Sequence, residues 1–229
     1  SRLNPVVNAA AVEELITRYS EPAWLADERR AALRSYDATP FPTARDEQWR
    51  YSQLGRFTID GLDLIEGPLS DVVSERISMR SGDSDAEGTM VIKNGKLVER
   101  QAKLAEQGVI FTDLRTALRE HEALVREHLF STVNATQTKY TALNSALWTN
   151  GTFVYVPKNV EVELPLGTFT TADRGGIGAG RTLIVVDVNA KATFIDEFTS
   201  EPFDERLFYD AATEIVLKDG AKLRYVSLQ

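Results

Sequence analysis

The sequence predicts an α+β protein in two parts: a mostly helical or mixed domain over residues 1–150 and a coiled stack of β-strands over residues 151–229. Three observations carry this expectation. An apolar helical period recurs before Gly151 and disappears after it. Beyond that point, β-branched and aliphatic runs alternate with turn residues. Finally, one pattern is written three times, as Val154-Tyr155-Val156-Pro157-Lys158-Asn159-Val160, Ile184-Val185-Val186-Asp187-Val188-Asn189-Ala190 and Ile215-Val216-Leu217-Lys218-Asp219-Gly220-Ala221. The copies begin at positions 154, 184 and 215, a nearly constant step. Each copy has an apolar triplet, two variable residues, then Asn or Gly, then a small apolar residue. Asn and Gly accept the left-handed backbone most readily, so the shared position reads as a corner. A fixed period holding a strand and a corner marks a coiled stack and not a sandwich.

In chain order, residues 8–36 read as two helices. Ala9 to Tyr19 is rich in helix formers, and Ser20 is placed as an N-cap with Pro22 in the first turn that follows. Leu25, Ala32, Leu33 and Tyr36 share one face, and Pro40 and Pro42 stop the helix. Residues 39–68 read as an irregular segment in which Trp49, Tyr51 and Phe57 form an aromatic anchor, and the polar run 81–88 reads as a loop. Met90 to Val98 surrounds Asn94-Gly95 with apolar residues, the signature of a hairpin. Thr112 is the expected cap of a helix running to about Phe130, with Leu114, Leu118, Val125 and Leu129 on its apolar stripe and Asp113 complementing its dipole. A further helix from about Lys139 carries Tyr140, Leu143 and Leu147 and ends at Asn150-Gly151. Strands follow at 152–157, 160–164, 166–171, 182–188, 191–198, 207–217 and 221–228.

Composition excludes several functions. The 229 residues hold no cysteine, which removes disulfides, thiolate catalysis and cysteine-ligated metal from this chain. A net charge of −8, with Arg29, Arg30 and Arg34 interleaved with Asp27, Glu28 and Asp37, argues against a nucleic-acid or anionic-membrane surface. No run of apolar residues is long enough to cross a membrane and no signal-peptide pattern opens the chain, so a cytoplasmic location is expected.

The motifs that resemble chemical sites each have a simpler reading. Asp83-x-Asp85-x-Glu87-Gly88 imitates half of an EF-hand loop, but the twelfth position is Asn94 and not a bidentate glutamate, so a solvated loop is expected. His121 and His128, seven residues apart on one helix face, lie about 10 Å apart along the axis. That is too far to share an ion, and they read as core-edge or surface residues. Gly175-Gly176-Ile177-Gly178-Ala179-Gly180 lacks the Lys-Ser/Thr end of a phosphate loop and precedes a strand, so it reads as a flexible turn. The acids Asp196, Glu197, Glu201, Asp204 and Glu205 bracket Pro202 and offer carboxylates for glycoside chemistry, with a solvated loop as the default. No Gly-x-Ser-x-Gly elbow is present. No catalytic, cofactor-binding or metal-binding residue is assigned.

Several blocks taken in order resemble one family. They are Ser20-Glu21-Pro22-Ala23-Trp24-Leu25 with Arg29 and Ala32, Pro40-Phe41-Pro42, Asp46-Glu47-Gln48-Trp49-Arg50-Tyr51, and Lys139-Tyr140-Thr141-Ala142-Leu143-Asn144-Ser145-Ala146. Gly151, Val154-Tyr155-Val156-Pro157, Val160, Pro165 and Tyr225-Val226-Ser227-Leu228-Gln229 complete the set. The chain resembles the SufB/SufD family of iron–sulfur cluster assembly proteins, and its SufD branch most closely. The resemblance implies a right-handed parallel β-helix after the helical region. It also implies a non-enzymatic scaffold subunit acting with SufB and the ATPase SufC, with the iron–sulfur cluster carried by the assembled complex and no cofactor in this chain. The third copy of the repeat runs to the end of the sequence, so the chain is expected to be the front part of a longer protein, able to self-associate through an open stack end. The alternative from the same strand pattern is a carbohydrate-active β-helix enzyme of the polysaccharide lyase kind.

Overall fold

The computed structural model describes residues 6–52, 58–65, 67, 86–102, 104, 107–200 and 202–229. Among them are five α-helices and nine strands. The helices are α1 (Ala9–Arg18), α2 (Ala23–Ala38), α3 (Leu114–Glu120), α4 (Glu122–His128) and α5 (Lys139–Leu147). The strands are β1 (Gly88–Lys93), β2 (Lys96–Ala102), β3 (Ile110–Asp113), β4 (Thr152–Val156), β5 (Leu166–Ala172), β6 (Gly176–Val186), β7 (Lys191–Ser200), β8 (Leu207–Leu217) and β9 (Lys222–Leu228).

Local chemistry sets the helix ends. The Asn8 side chain accepts a hydrogen bond from the Ala11 N–H at 2.9 Å and caps α1. Ser20 is not a cap: it turns the chain with a left-handed φ of 47° at the end of α1, and extended Pro22 opens α2. Helix α2 ends at Ala38, before Pro40. The cap of α3 is Asp113 and not Thr112, its carboxylate accepting from the Thr116 N–H at 3.2 Å. The single helix expected to reach Phe130 is broken at His121 (φ −138°, ψ 38°), which closes α3 and opens α4. Thr138 and Thr141 form a reciprocal capping box at the start of α5, which stops at Leu147, short of Asn150.

The strands form two sheets, ordered β2-β1-β5-β7-β9 and β3-β4-β6-β8. From β4 onward the chain alternates between them, and the three repeated triplets lie side by side. Val154 is in register with Ile184, and Ile184 with Ile215, in the parallel pairs β4/β6 and β6/β8. The corners behave as their residue types dictate, with φ of 64° at Asn159, 56° at Asn189 and 70° at Gly220.

The right-handed parallel β-helix that the resemblance implied is nevertheless overturned. Both sheets are mixed, because each contains an antiparallel pair, β1 with β2 and β3 with β4. Asn94 and Gly95, at φ 46° and 77°, supply the primed turn that folds β1 onto β2. Among the described residues neither sheet closes: β2 and β9 edge one, β3 and β8 the other. The α+β class itself holds. The strand expected at 160–164 is reduced to one bridge, Glu161 with Lys191. The expected loop at 81–88 lies outside the described residues as far as residue 85, as does Phe57.

Side-chain alternation along the strands makes three layers. Phe153, Leu183 and Val185 pack beneath the helices with Leu25, Leu143, Leu147 and Trp148. Their alternates Val154, Val156, Ile184 and Val186 pack against Met90, Ile92, Leu166 and Phe194 of the other sheet. The β3-β4-β6-β8 sheet is therefore apolar on both faces, which explains why β6 is buried along its whole length.

Candidate functional site

Two buried ion clusters and one polar cavity hold the chemistry. The first cluster centres on Arg181 of β6 and Glu214 of β8, both side chains fully enclosed. Glu214 Oε1 accepts from Arg181 Nε at 3.0 Å, Arg181 Nη2 at 2.8 Å and the Phe130 N–H at 2.9 Å. Glu214 Oε2 accepts from the N–H groups of Thr132 (3.1 Å) and Val133 (3.2 Å). Arg181 also donates to Asn144 Oδ1 at 2.9 Å and to the Val133 carbonyl. Asn144 in turn donates through Nδ2 to the carbonyls of Gly180 (2.9 Å) and Asp210 (3.0 Å), so one amide of α5 holds both β6 and β8. Burial pulls the Arg181 guanidinium below its ordinary pKa, and the charge and hydrogen bond of Glu214 oppose that pull.

The second cluster joins the α1–α2 corner to α3 and α5. Arg29 grips Glu21 with two bonds of 2.7 Å and donates to the carbonyls of Ala146 and Trp148 at 2.8 Å each, filling the acceptors left at the end of α5. Arg115 also binds Glu21 and donates to the Thr149 carbonyl. Both guanidinium groups lie over the Trp148 ring, Arg29 at 4.7 Å and Arg115 at 4.3 Å from its centre. Burial pushes the Glu21 carboxyl up, yet the bonds and charges of Arg29 and Arg115 outweigh it and hold Glu21 below the usual carboxylate range.

Between the sheets lies a cavity of about 150 Å³ whose lining includes Thr170, Thr182, Asp196, Tyr209, Thr213 and Tyr225. The Tyr225 hydroxyl donates to Asp196 Oδ2 at 2.8 Å. Burial raises the Asp196 carboxyl, with the Tyr225 bond working against it. The Tyr209 ring packs tilted against Phe198, centroids 4.6 Å apart, and lies over Gly178 and Gly180 of the neighbouring strand. A Cβ on Gly178 would sit 2.5 Å from the Tyr209 ring, so only glycine leaves room for it.

The glycine run is thus not the flexible turn expected. Gly176 to Gly180 is the first half of β6, and the bend lies just ahead at Asp173 and Arg174. The acids are not brought together. Asp196 and Glu197 are neighbours within β7, so they point to opposite faces, while Asp204 and Glu205 are exposed and Glu201 lies outside the described residues. Such a set does not form the paired carboxylates of glycoside hydrolysis. His121 and His128 sit in different environments, His121 at the helix break and buried His128 at the end of α4. Of the calcium-like run, Asp83 and Asp85 lie outside the described residues, Glu87 ties its N–H to the Pro165 carbonyl and Gly88 begins β1. Among the described residues no three His, Asp or Glu side chains gather to hold a metal. No described helix is long and apolar enough to cross a membrane. Of the aromatic anchor, Trp49 packs on Tyr140 at 5.3 Å while Tyr51 is 92% exposed. Sequence reasoning passed over Arg181, Glu214, Asn144 and Asp210. The only signal for Arg181, Asp210 and Glu214 was a charged residue at inward positions of otherwise apolar strands, and Asn144 on α5 carried none.

Fold and site define a class first: an α+β protein of two mixed sheets under a helical cover, its layers pinned to one another by buried ion pairs. The comparisons give the family. The model for the SufBD protein N-terminal region matches residues 10–167, and the model for the SUF system FeS cluster assembly SufBD core domain matches residues 169–229. The chain belongs to the SufBD family of SUF-system iron–sulfur cluster assembly proteins. It is 32% identical over 235 residues to the iron-sulfur cluster assembly protein SufB of Bacillus subtilis, covering 95% of this chain and 49% of that protein. An iron-sulfur cluster assembly SufBD family protein of Staphylococcus epidermidis matches with the same figures, and one of Staphylococcus haemolyticus is 31% identical over the same share. The chain spans about half the length of the curated relatives it matches.

Proposed function

We propose that this chain is the front part of a SufD-like scaffold subunit of the SUF iron–sulfur cluster assembly machinery, acting in the cytoplasm with SufB and the ATPase SufC. In this reading it performs no chemistry of its own, and the nascent cluster is the cargo of the assembled complex. The supporting observation is the match of two consecutive SufBD models, in order, across residues 10–229. The buried ion clusters agree with a rigid platform, since each carboxylate and guanidinium is spent on fastening one layer to the next. Placement in the SufD branch rests on the absence of cysteine and on the Trp49-Arg50-Tyr51 block with Pro40 and Pro42 before it. The Bacillus subtilis relative is itself a SufB, so the test must separate the branches. A tagged version of the complete protein, co-expressed with SufB, SufC and a separate SufD, should recover SufB and SufC. Recovery of neither refutes the scaffold reading. Recovery of a SufD partner in place of SufB keeps the machinery and moves the chain to the SufB branch.

A further inference from the structure

We infer that Asp210 is a proton-operated latch between the helical cover and the sheet beneath it, closed when its carboxyl is protonated and loosened when it ionises. The inference is independent of the proposed scaffold role. It rests on the balance of donors around Arg181. Glu214 and Asp210 lie four residues apart on the same face of β8, so two carboxylates share one guanidinium. Glu214 takes what is available: two bonds from Arg181 and three backbone N–H groups from residues 130, 132 and 133. The other Arg181 donors go to Asn144, Ser145 and the Val133 carbonyl. Asp210 Oδ2 is enclosed with no hydrogen-bond partner. Asp210 is half-buried, but its enclosed Oδ2 would carry charge with neither water nor a donor beside it, a costly arrangement. A proton removes the charge without moving any atom of the backbone.

The groups that act on Asp210 come from each neighbouring element. They are Arg181 on β6, Tyr140 on α5 and Tyr209 on β8, with Glu214 of β8 and Arg29 of α2 acting at one remove through Arg181. Only Arg181 favours the ionised form. Burial dominates and drives the Asp210 carboxyl from 3.8 up to about 7, against the pull of Arg181. The location gives this a mechanical meaning. The backbone carbonyl of Asp210 is one of the two that Asn144 of α5 holds, so a charge on this side chain forms at the seam between α5 and β8. Relief comes from admitting water to Oδ2 at that seam, which loosens the hold of α5 on β8.

The sign follows from proton linkage. The folded state keeps its proton up to about pH 7 and the unfolded chain loses it near 3.8, so the folded state binds more protons in between and stability falls as pH rises through that window. The latch is fully closed below it.

The test compares the intact chain with Asp210→Asn, which is neutral at every pH and nearly the same shape. Carbon-detected NMR titration of the Asp210 carboxyl in the wild-type chain should give a midpoint in the neutral range. The unfolding constant of the wild type should rise by up to about tenfold per pH unit across the window, relative to Asp210→Asn. Backbone amides of α5, corrected for intrinsic exchange, should lose protection at pH 8 in the wild type and keep it in Asp210→Asn. A carboxyl that titrates below pH 5, or parallel stability profiles for the two proteins, overturns the titration. Equal α5 protection at pH 8 in both overturns the latch.

Discussion

Tyr209 and the glycines beneath it illustrate how one residue type is explained only by another far along the chain. Its ring occupies the space that side chains on Gly178 and Gly180 would fill, one strand away in the sheet and a full repeat earlier in the sequence. From sequence alone a glycine-rich run such as Gly175 to Gly180 reads as a loop, because glycine weakens strands when nothing else is known. What rescues the strand is an aromatic ring supplied by the neighbour, and no local signal announces it. A methyl group on Gly180 would meet the Tyr209 hydroxyl first, with the ring carbons Cζ and Cε1 next, at 3.2 and 3.3 Å. Gly180→Ala should therefore cost about 1–3 kcal/mol by overpacking. In a Tyr209→Phe background the foremost clash is gone, and the same substitution should cost clearly less. Chemical denaturation of the four proteins in a double-mutant cycle measures the coupling, and additive costs would mean that the ring is not what excludes the methyl.

At the scale of elements, burial decides which ion pairs matter. Glu161 and Lys191 of β7 pair at 2.8 Å, but their side chains are 61% and 47% exposed, and such pairs contribute less than about 1 kcal/mol. Glu214 is enclosed and holds Arg181 together with the turn that follows α4, where Phe130 adopts a left-handed φ of 66°. Glu214→Gln leaves the guanidinium without its counter-charge and should cost about 3–5 kcal/mol. Lys191→Met should stay below about 1 kcal/mol. Denaturant midpoints check both, with the slope unchanged if the fold is kept. Legibility in the sequence divides along a related line. The triplets, the Asn and Gly corners, the Asn94-Gly95 hairpin and the stop before Pro40 were readable, because each is set within a few residues. The helix break at His121 was not, since neither Gly nor Pro marks it. Nor was the pairing of Arg181 with Glu214, distant in sequence, since a charged residue in an apolar strand does not name its partner. The β-helix failed for a similar reason: the period is set locally and is present, while the antiparallel pairs at β1/β2 and β3/β4 are decisions of the assembled sheets.

For the whole molecule, the sheet β3-β4-β6-β8 is the shared wall. Its two faces feed different cores, one roofed by helices and one facing the second sheet. Strands that precede Gly151 complete both sheets, β1 pairing with β5 and β3 with β4. Arg29, Arg115 and Glu21 lock the roof to the end of α5, and Arg181 with Asn144 locks α5 to the wall. Residues 151–229 expressed alone should therefore fail to hold this structure. Phe153, Ile177, Leu183 and Val185, all fully buried in the intact chain, would face water in one contiguous patch, and Arg181 would lose Asn144. An exposed apolar face of that kind drives aggregation. The fragment is expected in the insoluble fraction, and co-expression of residues 1–150 as a separate chain should return it to the soluble fraction with its strand content visible by circular dichroism. A monomeric, folded fragment 151–229 would mean that the roof is an accessory, and that the wall is held by its strands alone.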